Sequence, residues 1–192
     1  MFIVFEGIDG SGKSSCAIQI LNNLKKQGHM VFLTHEPSNS IYGKQIRELF
    51  NKNNFNVDIE IDLLIKDRKE HLVKEILPAI QKGFIVISDR YYFSHVYQSI
   101  RGYNLDDLLN VNKKFALRPD LTIIFDLPHT IAYKRLKKYR KSLDCFEKNI
   151  DLKLIREEYL KFRNQEHVEI INASLPKQKV IENVERIVRN NL

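Results

Sequence analysis

The sequence predicts a three-layer α/β/α sandwich built on a five-stranded parallel sheet, and three observations carry that expectation. Short apolar runs recur along the chain, stretches with helix-spaced apolar residues separate them, and no linker or internal repeat interrupts the alternation. Strands apolar throughout imply a sheet covered on both faces, which parallel sheets with crossover helices provide. The 192 residues favour a single domain over 1–192 with a mobile basic lid at about 137–148.

Each element has its own signal. Phe2–Glu6 (FIVFE) is a β-rich run that ends at Gly7. Ser14–Gln27 has Cys16, Ala17, Ile20, Leu21 and Leu24 on one helical face, and Gly28 stops it. Met30–Leu33 reads as the second strand, followed by a loop around Pro37 and a short helix over Ile41–Phe50. A long helical pattern covers Glu60–Gln81 and closes at Gly83. Phe84–Ser88 and Leu121–Asp126 read as strands, with helices over Asp106–Ala116 and Thr130–Tyr139. Asp151–Asn164 is helical, His167–Ile171 is the fifth strand, and Lys179–Asn190 closes the chain as a helix.

Composition narrows the class. At 43% hydrophobic and 29% charged, with 7 Gly and 5 Pro, the chain is not of a disordered or low-complexity type. Its apolar runs are too short to cross a bilayer, and the N-terminus enters a strand with no basic leader, so neither a membrane span nor a signal peptide is expected. Cys16 and Cys145 match no metal-ligand spacing and read as free thiols of a cytoplasmic protein. The formal charge of +7 points to anionic partners without choosing among nucleic acid, acidic membranes and phosphate metabolites.

Gly7-Ile8-Asp9-Gly10-Ser11-Gly12-Lys13-Ser14 points to a nucleotide phosphate, without by itself separating a kinase from a motor, a GTPase or a DNA-handling ATPase. It is a complete G-x-x-x-x-G-K-S phosphate loop between a predicted strand and a predicted helix, the context the motif requires. Its glycines turn the backbone so that successive N–H groups face phosphate oxygens, and the helix adds its positive end. Lys13 is placed to reach the β- and γ-phosphates of ATP, and Ser14 to ligate Mg²⁺. In open α/β sheets ligands sit beyond the carboxyl ends of the strands. Asp89-Arg90-Tyr91 follows the third strand at that edge, with an acid suited to Mg²⁺ and a guanidinium suited to phosphate. Arg47, Arg68 and the basic run Lys134–Lys141 read first as solvated helix faces, and the run second as a lid. Tyr133, Tyr139 and Phe146, interleaved with it, read as packing residues.

Across nearly its full length the chain resembles the thymidylate kinase family of nucleoside monophosphate kinases. The resemblance rests on FEGIDGSGKS (5–14), Glu36-Pro37, Ile46–Glu48, Asp67-Arg68 with Glu70-His71, and SDRYYFS (88–94). It continues through Tyr97-Gln98, RPDLTIIFDLP (118–128), Phe146-Glu147 and INAS (171–174). It implies transfer of the γ-phosphoryl of Mg-ATP to dTMP, in a homodimer that needs no nucleic acid or membrane partner. Asp9 would meet the 3′-hydroxyl of the deoxyribose. Arg47 and Arg90 would hold the acceptor phosphate, and Asp89 would position Mg²⁺. Arg68 would read the pyrimidine edge, and Gln98 would hydrogen-bond the base. Asn172, Ala173 and Ser174 would lie by the adenine. Because 8–11 hold no cation, a lid arginine is implied, with Arg140 the candidate.

The departures from the family pattern fall on the acceptor side. Leu64 stands where a phenylalanine usually stacks on thymine, and His35 replaces an arginine. Two residues, not three, separate Ser94 from Tyr97. A kinase with another acceptor, or an ATPase that binds nucleic acid through the positive charge, therefore stays open at the level of sequence.

Overall fold

The computed structural model describes residues 1–51, 56–139 and 151–192. Its elements are β1 (Phe2–Glu6), α1 (Lys13–Lys26), β2 (Val31–His35), α2 (Ile41–Phe50) and α3 (Val57–His71). A π-helical turn (Leu72–Ile76) leads into α4 (Leu77–Gln81), then β3 (Ile85–Asp89), a 3₁₀ turn (Tyr92–His95) and α5 (Val96–Ser99). There follow α6 (Leu105–Lys113), β4 (Leu121–Asp126), α7 (His129–Tyr139), α8 (Leu152–Leu160), a 3₁₀ turn (Lys161–Asn164), β5 (Val168–Asn172) and α9 (Lys177–Asn191).

The strands form one sheet in the order β2-β3-β1-β4-β5, and all four pairings are parallel. β1 lies at the centre because it is apolar on both faces: Phe2, Ile3, Val4 and Phe5 are all at most 1% exposed. Each such side chain contributes about 2 kcal/mol by leaving water. The chain runs from β1 out to β2, returns through β3 and then crosses to β4. The turn after β1 therefore sits where the order reverses, the place such sheets bind ligands.

Three strand boundaries differ from the expected ones by one or two residues. β3 runs to Asp89, β2 starts at Val31 and reaches His35, and β5 runs from Val168 to Asn172. In each case polar residues at the carboxyl end keep their backbone pairing, as His35 does opposite Asp89 and Asn172 opposite Asp126. Hydrophobicity is blind to that. The long helical pattern starts earlier, at Val57, because Asn56 caps it by accepting from the N–H of Asp58 at 2.7 Å. It is also broken by the π turn, just before Pro78. Proline has no N–H for the preceding turn and its ring crowds that turn's carbonyl, and a wider turn relieves both. The stretch over 92–99, which shows no clear strand or helix period in the sequence, folds as the 3₁₀ turn and α5.

Candidate active site

The phosphate loop joins β1 to α1 as its spacing requires. Gly7 has φ 137°, and a Cβ there would lie 2.7 Å from the Phe125 carbonyl oxygen, so the loop leaves the sheet only through glycine. Lys13 opens α1 and is 5% exposed, with Nζ donating to the Ile8 carbonyl at 3.1 Å. Burial, and then the positive charge of Arg90, bring its pKa down to about 8, against the opposing pull of Asp89, Asp9 and Glu6. An anion beside Nζ would reverse that shift. Ser14 Oγ donates to Asp89 Oδ2. The other oxygen, Oδ1, is shielded from solvent and has no hydrogen-bond partner.

Arg90 follows Asp89 with φ 76°, a left-handed conformation costly for any residue but glycine. The surroundings hold it there. Its N–H donates to the Phe5 carbonyl at 2.9 Å, and the Ser88 hydroxyl donates to its carbonyl at 2.8 Å. The side chain then reaches back over the phosphate loop. Nη2 donates to Asp9 Oδ1 at 2.5 Å and Tyr97 Oη at 3.0 Å, while Nη1 donates to Ser94 Oγ and Tyr159 Oη at 3.2 and 3.4 Å. Glu6, completely buried, anchors the arrangement from below. It accepts from the N–H groups of Tyr91 and Ser94 and from the hydroxyls of Ser94 and Tyr159.

The acceptor-side candidates occupy two places. Arg47 is half-buried on α2, with Nη1 donating to the carbonyls of Pro37 and Ser38 at 2.9 Å each. Asp67 organises the same loop by accepting from Ser38 N–H, Ser38 Oγ and Ser40 Oγ at 2.8, 2.6 and 2.5 Å. Arg68 is 1% exposed and Gln98 is 2% exposed, both within a chain of buried polar groups. Arg68 donates Nε and Nη2 to Glu36 Oε2 at 2.8 and 2.6 Å, and Nη1 to Asn112 and His95 at 2.5 and 3.0 Å. Gln98 bridges His95 and Glu60, and Glu60 pairs with Arg101. Leu64 is half-buried on α3.

On the other flank of the loop, Asn172 Oδ1 accepts from the N–H and hydroxyl of Ser174, forming a tight turn after β5. Ala173 donates its N–H to the Asp126 carbonyl at 2.8 Å and accepts from Arg135 Nη2 at 3.1 Å. Arg135 also spans to the carbonyls of Gly10 and Ser11. A cleft of about 600 Å³ opens here, lined by the loop through Ser15, by Arg135 and Leu136, and by Ala173 and Lys177. That volume suits one small organic ligand. Lys137 and Lys138 end α7; the rest of the expected lid, with Arg140, Lys141, Cys145 and Phe146, lies outside the described residues.

Lys13, Ser14, Asp9, Asp89 and Arg90 thus converge in one cluster at the carboxyl ends of β1 and β3, with Asn172–Ser174 beside it. Arg47 holds a neighbouring loop, and Arg68 and Gln98 sit in the interior behind it. Sequence reasoning missed Glu6, Glu36, Glu60, His95, Asn112 and Tyr159 as parts of the site, and read Arg135 only within the basic run 134–141. Glu6 left a signal, a lone carboxylate in an otherwise apolar strand. The others carry no local mark, because apart from the short-range His95–Gln98 bond their partners in the site lie 27 or more residues away.

The family model described as "Thymidylate kinase" matches residues 5–184. The chain is similar to the probable thymidylate kinase of Archaeoglobus fulgidus, with 38% identity over 193 residues covering 100% of this chain and 96% of that protein. Similarity to the probable thymidylate kinase of Pyrococcus abyssi is 39% over 200 residues, covering 100% and 97%. For the thymidylate kinase of Brachyspira hyodysenteriae it is 33% over 190 residues, covering 98% and 93%.

Proposed function

This chain belongs to the thymidylate kinase family, and from that premise we propose that it transfers the γ-phosphoryl group of ATP to dTMP, giving dTDP and ADP. The reading rests above all on two pairs that meet across the phosphate loop, Ser14 with Asp89 and Asp9 with Arg90. They bring an oxygen-rich corner and a buried-side guanidinium to the same strand ends as Lys13.

The acceptor's phosphate has a second pKa near 6, as phosphate monoesters do, and is largely dianionic at pH 7. It needs no general base to attack, only alignment and neutralised charge. Lys13 and the N–H groups at the start of α1 hold the β- and γ-phosphates. Arg90 and Arg47 hold the acceptor phosphate, and the Asp9 carboxylate takes the 3′-hydroxyl. Asn172–Ser174 border the adenine, with Ala173 lining the cleft beside the loop. A lid cation, with Arg140 the candidate, covers the transferring group. Arg68 and Gln98 meet the pyrimidine, and Leu64 packs against it.

Ser14 Oγ and the two Asp89 oxygens fit Mg²⁺: they are hard oxygen donors, and Asp89 Oδ1 is shielded yet unpartnered. When bound there, Mg²⁺ would supply positive charge to the phosphate oxygens. Asp89 would organise the ion and take no proton. The reading includes a cytoplasmic homodimer. Ile59 on α3 and Val73 in the π-helical turn, 51% and 68% exposed, offer apolar contact surface, and light scattering at twice the chain mass would check it. Among the described residues no helix is long and apolar enough to cross a membrane.

A coupled ADP-release assay across dTMP, dUMP, dCMP, dAMP and dGMP tests the assignment. A clear preference for dTMP supports it, and equal rates on all five refute it.

A further inference from the structure

The buried chain behind the acceptor side is directional. Arginine only donates hydrogen bonds. Arg68 Nη1 lies 3.0 Å from His95 Nε2, so that nitrogen accepts and the neutral imidazole carries its proton on Nδ1. Nδ1 lies 3.0 Å from Gln98 Oε1 and donates to it. On the other edge of the same carboxamide, Gln98 Nε2 donates to Glu60 Oε1 at 2.7 Å, and Glu60 Oε2 is held 2.7 Å from Arg101 Nη2. Each link dictates the polarity of the next. Burial, and then the charge of Arg68, push the His95 pKa down to about 3, so the imidazole is neutral in ordinary buffers.

Direction matters because a glutamine carboxamide is almost symmetric in shape. Half a turn about its last bond exchanges donor for acceptor. Pyrimidine edges use the same code: thymine and uracil show a carbonyl and a ring N–H, while cytosine shows an amino group and a bare ring nitrogen. A glutamine free to turn would serve both. Gln98 turned over would set its NH₂ against His95 Nδ1–H and its oxygen against the Glu60 carboxylate. Two buried contacts would then face their own kind.

We propose that His95 is a positioning residue that makes the enzyme select keto pyrimidine monophosphates over amino ones, by locking the Gln98 carboxamide, together with Glu60 on its other edge, in a single orientation. The proposal rests on the reading that Gln98 meets the acceptor's base. It adds which edge Gln98 must show: one lone pair left on Oε1 for a ring N–H, and one N–H left on Nε2 for a carbonyl. Arg68 is committed in the same sense. Four of its five N–H groups are engaged by Glu36, Asn112 and His95, and the last can only donate.

The test is kcat/KM for dTMP, dUMP and dCMP at saturating ATP, in the wild-type protein and in His95→Leu, His95→Asn and Gln98→Ala. His95→Leu removes one of the two contacts that hold the carboxamide, leaving Glu60, and is expected to lower the dTMP:dCMP ratio about tenfold or more, chiefly through a lower KM for dCMP. His95→Asn keeps an N–H near the place of Nδ1 and is expected to retain most of the ratio. dUMP follows dTMP throughout. An unchanged ratio in His95→Leu, where Gln98→Ala collapses it, overturns the lock and leaves the role of Gln98 standing. An unchanged dTMP KM and ratio in Gln98→Ala refute the base contact, and the proposal falls with it. Should His95→Leu not fold, the imidazole ¹⁵N shifts of the intact wild-type chain at pH 7 decide. Protonated Nδ1 with bare Nε2 is expected, and the opposite tautomer or a doubly protonated ring overturns the proposal.

Discussion

The same histidine makes stability depend on pH in a way that can be worked out in advance. In the unfolded chain His95 titrates at its ordinary 6.5, whereas in the fold its pKa is near 3 because burial, and then Arg68, oppose the cation. Between those values the unfolded chain binds a proton that the native state refuses. Stability therefore rises with pH through this window and is lost as pH falls below 6.5. From pH 7 to pH 5 the linkage amounts to about 2 kcal/mol, the logarithm of the unfolded-state protonation factor multiplied by RT. At pH 5 the figure hardly depends on the folded value, since any native pKa below about 4 leaves the ring neutral. Solvent screens this charge little, because His95 is 1% exposed. Urea unfolding of the wild-type protein and of His95→Asn at pH 7 and pH 5 isolates the contribution, because other carboxylates and histidines titrate in both. The stability difference between the two proteins should shift by about 2 kcal/mol in favour of the variant on acidification. Parallel pH dependences would refute a neutral buried imidazole, and with it the directional chain through Arg68.

Lys13→Ala should lower turnover by at least about a hundredfold while the circular dichroism spectrum and melting temperature stay near wild type; near-normal turnover would remove the phosphate-loop role. Asp89→Asn should lose activity that raised Mg²⁺ partly restores, and a loss indifferent to Mg²⁺ would argue instead for a base. Gly43→Ala should destabilise by about 1–3 kcal/mol and raise the KM for the acceptor more than for ATP. A Cβ there would stand 2.0 Å from the Ser38 carbonyl oxygen, in the loop that Arg47 and Asp67 hold. A melting curve and acceptor kinetics indistinguishable from wild type would show that α2 can draw back without cost.

Much of this molecule could be read along the chain. The phosphate loop is a local motif whose consequence, N–H groups around an anion, follows from backbone geometry over eight residues. Helix periodicity and apolar runs place elements because each reports burial within a window of a few residues. Strand ends such as Asp89 and Asn172 were less legible, since polar residues there are held by pairing and not by burial. The π turn was missed because one proline, Pro78, disturbs a pattern that otherwise continues through it.

Arg68 shows where reading along the chain stops. The family pattern marks the position, but the guanidinium's surroundings come from Glu36 after β2, His95 in the 3₁₀ turn and Asn112 on α6. Arg90 shows it again: its left-handed backbone and its grip on Asp9 depend on β1, Glu6 and Tyr159. By itself the sequence determined a parallel α/β sheet and a nucleotide-phosphate loop at the end of its first strand, because both follow from local periodicity and backbone freedom. Only the tertiary structure decided which buried donors and acceptors face one another, because hydrogen-bond direction is imposed by partners that meet only when distant segments pack.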